Sequence, residues 1–271
     1  MSDPRISTEH DRLAEFFQTD KVNCAYLLGD LEPGFREMGT WYVQEDAEGS
    51  IQAVLMIYTG LSAPVMITHG QTTALSRILR YYHDELPGRC LVHAQPHHIP
   101  SIDACFETDG LIPTLRMALL AAEFTPSNNP FIEVESLSHR NTGEIIALYQ
   151  HYPDNFFEPS QLDSGHYLGV RVEDDLVSVA GVHLHSPSFG IAALGNIVTH
   201  PEHRGRGLST ACTEALCERL FEGQVDTLAL NVRRHNRSAV RVYEKLGFRY
   251  HDTYLEGFVD KTPPFDSFER S

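Results

Sequence analysis

Between an apolar run ending near Thr199 and a helix-patterned run, the sequence reads Arg204-Gly205-Arg206-Gly207-Leu208-Ser209-Thr210. Glycines at 205 and 207 let a backbone approach a ligand with no Cβ in the way. A helix starting here leaves its first N–H groups unpaired, and its dipole favours negative charge. Ser209 and Thr210 add hydroxyl donors. The combination suits a pyrophosphate and brings no set of metal ligands. Two other chemistries compete for the same residues. Gly205-x-Gly207 with Asp226 downstream imitates a dinucleotide fingerprint, but its third position is Thr210 and Pro201 stands in the turn. A nucleic-acid patch needs broad cationic surface to displace counterions. Residues 200–251 carry nine Lys/Arg against six Asp/Glu, a net of +3 set against −19 for the rest of a chain of charge −16. That balance favours one small anion over a polyanion and argues against nucleic-acid and anionic-membrane partners.

A second constellation follows. After the strand-like "LALNV" comes "RRHN", then "RSAVRVYEKLGF". Asn236 is a natural N-cap and Ser238 is a further donor. Ala239, Val242, Tyr243 and Leu246 recur at helical spacing, which turns Tyr243 inward. Taken in isolation, an inward tyrosine reads as a core aromatic.

Taken as a pair, "IVTHPEHRGRGLS" and "LNVRRHNRSAVRVYEKLGF" resemble the GNAT superfamily of CoA-dependent N-acyltransferases. That family's loop runs Arg/Gln-x-x-Gly-x-Gly/Ala, and here Ser209 takes the last position. The resemblance spans about residues 130–260 and implies a GNAT fold, a mixed and mostly antiparallel sheet flanked by helices. It implies that the backbone of Ile197, Val198 and Thr199 binds the pantetheine arm where two strands splay. The amides of Arg204, Gly205, Arg206, Gly207, Leu208, Ser209 and Thr210 would hold the pyrophosphate. Asn236 would contact the cofactor near the second splayed strand, and Ser238 is the further donor available to that ligand. Tyr243 would protonate the departing thiolate. The Val198 N–H is the natural oxyanion donor. Many family members place a glutamate on the strand that here reads "FGIAALGNIVTH", which has no carboxylate. Asn196, His183 and His185 remain as bases, directly or through water, and a two-residue spacing puts the histidines on one strand face. The implied activity is transfer of an acetyl group from acetyl-CoA to a small-molecule or amino acid-like amine, without metal. The alternative is a non-catalytic CoA-binding sensor.

The elements that must position these groups form an α+β pattern in both halves. In the second half a strand "FIEVES" and a helix over 138–151 precede three strands, a helix over 205–222, the strand before "RRHN", a helix over 236–246 and a last strand. Tyr152, Phe156 and Phe157 fall where the family places an acceptor-side loop. The first half alternates helices and strands but has no Arg-x-x-Gly-x-Gly loop, and reads as a degenerate second GNAT-like domain, as in tandem proteins resembling glycine N-acyltransferases. The breaker-rich "FTPSNNP" puts the boundary between domains 1–125 and 126–271. Five scattered cysteines without a CxxC pair imply free thiols, and the acidic N-terminus and lack of long apolar runs imply a cytoplasmic protein. A homodimer stays open.

Overall fold

A computed structural model describes residues 3–127, 131–153 and 157–263. The chain divides into two compact units, one made of residues 1–115 and 252–271, the other of 116–251.

The first unit contains β1 (Arg5–Ile6), α1 (His10–Gln18), α2 (Ala25–Gly29), β2 (Gly39–Glu45), β3 (Ile51–Tyr58), β4 (Val65–Gly70), α3 (Thr72–Tyr81), β5 (Arg89–Ala94), α4 (Ile99–Asp103) and β6 (Phe106–Glu107). β7 (Ile112–Leu120) crosses into the second unit. The strands of the first unit follow the order β1-β2-β3-β4-β5-β13, where β13 (Arg249–Lys261) is the last strand of the chain. All pairs given for this sheet are antiparallel except β4–β5, which is parallel. Covered on both faces, β3 and β4 read as near-continuous apolar runs. α3 closes one face with Leu75, Ile78 and Leu79, which pack with Tyr42, Leu55 and Val92. Trp41 points the other way, as strand alternation requires, and meets Phe17 of α1.

The second unit contains β8 (Glu135–Ser136), α5 (Thr142–Tyr149), β9 (Leu168–Val172), β10 (Asp175–Ser186), β11 (Ile191–Thr199), α6 (Leu208–Phe221), β12 (Thr227–Arg233) and α7 (Arg237–Lys245). Its order is β7-β12-β11-β10-β9-β8. β8 to β11 form an antiparallel meander, and β11–β12 is parallel. α5 buries Ile145, Leu148 and Tyr149 against Tyr167, Val179 and Val198. α6 buries Cys212, Leu216, Cys217 and Leu220. Burial pushes the Cys212 thiol up to about 12 and Cys217 higher still, which fits packing and not nucleophilic attack.

Several expected elements shift. "FIEVES" is a strand only at Glu135–Ser136. The helix expected over 138–151 starts at Thr142, because Ser138 caps a separate 3-10 turn over His139–Asn141. The helix expected from 205 starts at Leu208, because Gly207 holds φ at +81°, a left-handed conformation outside the helix. The boundary expected at 125/126 differs from that between the compact units, which falls inside β7, and residues 252–271 return to the first unit. The sequence marks turns. It does not mark a strand that serves one sheet after another.

Candidate functional site

The site is built where β11 and β12 part. Their parallel ladder holds from Ile191 with Thr227 to Leu194 with Leu230 and goes no further. Directly beyond it, β11 carries a bulge. Gly195 pairs with Gly181 of β10 and Val198 with Val179, so Asn196 and Ile197 together oppose Ala180. Asn196 adopts φ +54°, a left-handed conformation that Asn tolerates better than most residues.

A buried polar network fixes the bulge. The Asn196 side-chain amide donates to Gln161 Oε1 at 2.9 Å and to the Tyr167 hydroxyl at 2.8 Å. The Tyr149 hydroxyl donates to the Asn196 carbonyl at 2.6 Å. The Asn196 side-chain oxygen is buried with no hydrogen-bond partner among the described residues. Burial raises the pKa of Tyr149 and of Tyr167, so both keep their protons at neutral pH. Sequence reasoning missed Tyr149, Gln161 and Tyr167, because no local spacing links residues so far apart in the chain.

The bulge also sets which backbone groups face the opening. The His200 N–H donates to the Val177 carbonyl at 2.7 Å. In an antiparallel ladder, bonded and non-bonded pairs alternate. The Val198–Val179 pair, two residues on, is then a bonded pair, and Val198 directs its N–H toward β10. Ile197 and Thr199 direct theirs away from β10, toward β12. Val198 is therefore turned away from the oxyanion role expected of it. Its side chain packs on the α5 face.

Beyond Thr199 the loop runs through His200 and Pro201–His203 to Gly205 and Gly207. Gly205 has φ +76° and nothing within 4 Å of the direction a Cβ would take. Gly207 precedes α6, and no side chain caps the helix. The first intrahelical bond in its turn runs from Ala211 N–H to the Gly207 carbonyl, so the amides of Leu208, Ser209 and Thr210 have no partner within the helix. These residues fit a pyrophosphate. The splay beside Ile197 and Thr199 fits an extended amide chain.

Side chains gather around this opening. The Tyr152 hydroxyl donates to the Thr199 carbonyl. Arg204 donates to the Tyr152 hydroxyl at 2.8 Å, with its guanidinium 5.5 Å from the ring centre. Arg206 Nη1 lies 3.5 Å from His203 Nδ1. Asn236 caps α7 by accepting from the Ala239 N–H at 3.2 Å and the Ser238 hydroxyl at 2.9 Å, so Ser238 is turned to Asn236. Tyr243 is 6% exposed and packs on Phe248. Burial, with Cys217 nearby, raises its pKa, and its hydroxyl has no hydrogen-bond partner among the described residues. Phe156 lies outside the described residues, while Phe157 stacks on Tyr149 at 5.2 Å.

The two histidines part company. The β10–β11 register shifts between Val182 and Leu184, which makes His183 an extra residue and breaks the two-residue alternation. A Cβ on Gly195 would meet the His183 ring at 2.0 Å, and one on Gly181 would meet the Tyr167 ring at 2.4 Å. Gly181 and Gly195 pair directly, so both rings lie on the α5 side of the sheet. His185 packs on His166 at 4.3 Å, on the α6 side. Burial, helped by His185 and Arg219, lowers His166 to about 4. The expectation that His183 and His185 share a face is thus corrected by the bulge.

A strand pair that opens just before a bulge, followed by a glycine loop and an uncapped helix, defines a class, and comparison with known proteins agrees. Residues 131–248 match the acetyltransferase (GNAT) family. Over those residues the chain is similar to a GNAT acetyltransferase domain. Over 57 residues it is 42% identical to the [ribosomal protein bS18]-alanine N-acetyltransferase of Escherichia coli strain K12, which covers 21% of this chain and 38% of that protein. Over 69 residues it is 32% identical to the mycothiol acetyltransferase of Tsukamurella paurometabola, which covers 26% of this chain and 24% of that protein. The chain therefore spans well under half the length of these curated relatives. A tandem GNAT protein from the clavulanic acid biosynthesis pathway shares the fold, with a TM-score of 0.59 at 14% identity over 97% of this chain and 98% of its own. Among the described residues, no group of three or more His, Cys, Asp or Glu is placed to hold a metal, and no helix is long and apolar enough to cross a membrane.

Proposed function

We propose that the protein is an N-acetyltransferase that uses acetyl-CoA as cosubstrate and a small-molecule or amino acid-like amine as acceptor. The observation that carries this reading is the halt of the β11–β12 ladder at Leu194–Leu230, directly before the Asn196 bulge and the Arg204–Thr210 loop. Acetyl-CoA, when bound, supplies the activated thioester. The amides of Leu208, Ser209 and Thr210 hold the pyrophosphate with Arg204 and Arg206 beside them, and Gly205 and Gly207 leave it room. Ile197 and Thr199 offer backbone groups to the pantetheine arm. The Ile197 N–H, in place of Val198, is the donor to the developing oxyanion. Asn236 keeps its side-chain nitrogen for the cofactor, since its oxygen is used in capping. Tyr243 holds its proton until the departing thiolate needs one.

Each chain takes one acetyl-CoA, through the 116–251 unit, while the other unit is a degenerate GNAT-like domain. Tyr243→Phe separates catalysis from a non-catalytic sensor. A fall of about 10²–10⁴ in kcat, with acetyl-CoA binding kept, supports the enzyme. Acetyl-CoA that leaves the melting temperature of the wild-type protein unmoved sinks any CoA reading. A panel of amines followed by release of free thiol identifies the acceptor.

A further inference from the structure

The geometry points to His183 as the base that takes the proton from the acceptor amine, an assignment that rests on the acetyltransferase reading above. β11 bears no ionisable side chain between Ile191 and Thr199. The neighbouring strand supplies one instead. The β10 bulge carries His183 across to Gly195, where its ring fills the space a β-carbon would take. Glycine at 195 is what allows that approach. The next residue is Asn196, and the one after it is Ile197, whose N–H faces the opening. His183 is solvent-exposed, so a proton it takes can pass to water.

The other ionisable groups around it do not compete. Tyr149 of α5 and Tyr167 before β9 are held protonated by burial. Glu158 caps the Pro159–Ser164 turn, its carboxylate accepting from the Gln161 N–H while its own N–H donates to Gln161 Oε1. Within β10, His185 is on the α6 side with His166 and Arg219.

The step balances as follows. The acceptor reaches the site as an ammonium, and an imidazole nitrogen of His183 takes one proton. The freed lone pair forms the N–C bond to the acetyl carbonyl carbon and the C–S bond breaks. Tyr243 gives its proton to the thiolate, and the second proton of the attacking nitrogen restores Tyr243 by way of solvent. The sum is ammonium plus acetyl-CoA giving amide, free thiol and one proton, and His183 returns that proton to water.

The test measures kcat/KM against pH for wild type, His183→Gln, His183→Ala, Gly195→Ala and His185→Gln. The acceptors are glycine, L-alanine amide, spermidine and phenethylamine, followed as thiol release. Slow acetyl-CoA hydrolysis serves as the readout if none of them accepts. His183→Gln is expected to lower kcat/KM by about 10²-fold or more and to remove the acidic limb of the profile. Acetyl-CoA affinity should stay within about twofold of wild type. Gly195→Ala displaces the ring and should reproduce the loss, added imidazole should restore part of the His183→Ala rate, and His185→Gln should remain near wild type. A His183→Gln enzyme that keeps its rate within about threefold, or keeps the acidic limb, overturns the assignment and leaves the acetyltransferase reading standing. Failure of the wild type to bind acetyl-CoA overturns both.

Discussion

Both units contain a parallel strand pair that opens, and they treat the opening differently. In the second unit β11 and β12 part after Leu194–Leu230, and Thr199 leads into a long loop and an uncapped helix. In the first unit β4 and β5 pair from Val65–Leu91 to Ile67–His93 and then also stop. Gly70, however, runs through a single residue, Gln71, into α3. His98, fully buried on the turn after β5, fills the gap, with Nδ1 2.9 Å from the Thr68 hydroxyl and Nε2 2.8 Å from the Gly70 carbonyl. The Thr72 hydroxyl at the start of α3 is likewise taken, by the His97 carbonyl. An opened strand edge exposes backbone groups that need partners. One unit satisfies them internally, and in the other the proposed acetyl-CoA would take that place. Tyr152 is the second unit's counterpart of His98, since it too donates to a carbonyl on the open side. Tyr152 is only half-buried, so a ligand can displace it.

The largest expected effect is at the glycine loop. Gly207→Val forces a β-branched residue into φ +81° and should abolish the rise in melting temperature that acetyl-CoA gives to wild type. Retained binding would break the comparison. His98→Ala should cost about 2–4 kcal/mol in denaturant unfolding, because it leaves a cavity and takes the partner from the buried Thr68 hydroxyl and the part-buried Gly70 carbonyl. Calorimetry should still count one acetyl-CoA per chain, and a second site would show that His98 alone closes the first unit. Burial also lowers His98 to about 4. The unfolded chain protonates this histidine near its ordinary value of about 6.5 while the folded chain does not. Its contribution is therefore complete above about pH 6.5 and is lost as pH falls toward 4. His98→Ala should flatten that part of the stability profile. Asn196→Ala, at φ +54° and with its network broken, should cost about 1–3 kcal/mol and lower kcat more than it weakens acetyl-CoA binding. Tyr152→Phe should have the smallest effect, a tightening of acetyl-CoA by less than about tenfold, because one hydrogen bond need no longer be exchanged. Weaker binding would mean that Tyr152 remains in place beside the ligand.

How much of this was legible in the sequence follows from the range of each interaction. The Arg204–Thr210 loop and the Asn236 cap are local, and their spacing announces them. The bulge at Asn196 is not local. It depends on the registers of β10, β11 and β12 together, and so the amide facing the opening is misassigned by one residue. The parting of His183 from His185 has the same cause, an extra residue in a strand that looks regular as a string. His98 follows a proline and another histidine with nothing to show that its ring reaches back to Gly70. Of the breaker-rich stretch, residues 124–127 lie outside any helix or strand, while the compact units divide earlier, inside β7.

β13 carries a consequence for biosynthesis. Most of this strand belongs to the unit that begins the chain, where Leu255 to Asp260 pair with Ala94 to Arg89. During translation that unit emerges first and still lacks one of its strands. Residues 116–251 must all be made before the strand arrives, an interval on the order of ten seconds at ordinary elongation speeds. Over that time the free edge of β5 is an exposed template for mispairing. The unit bearing the glycine loop, encoded second, has all its residues outside the ribosome first. The opening between β11 and β12 and its glycine loop can therefore form before the unit that precedes them in the message is closed.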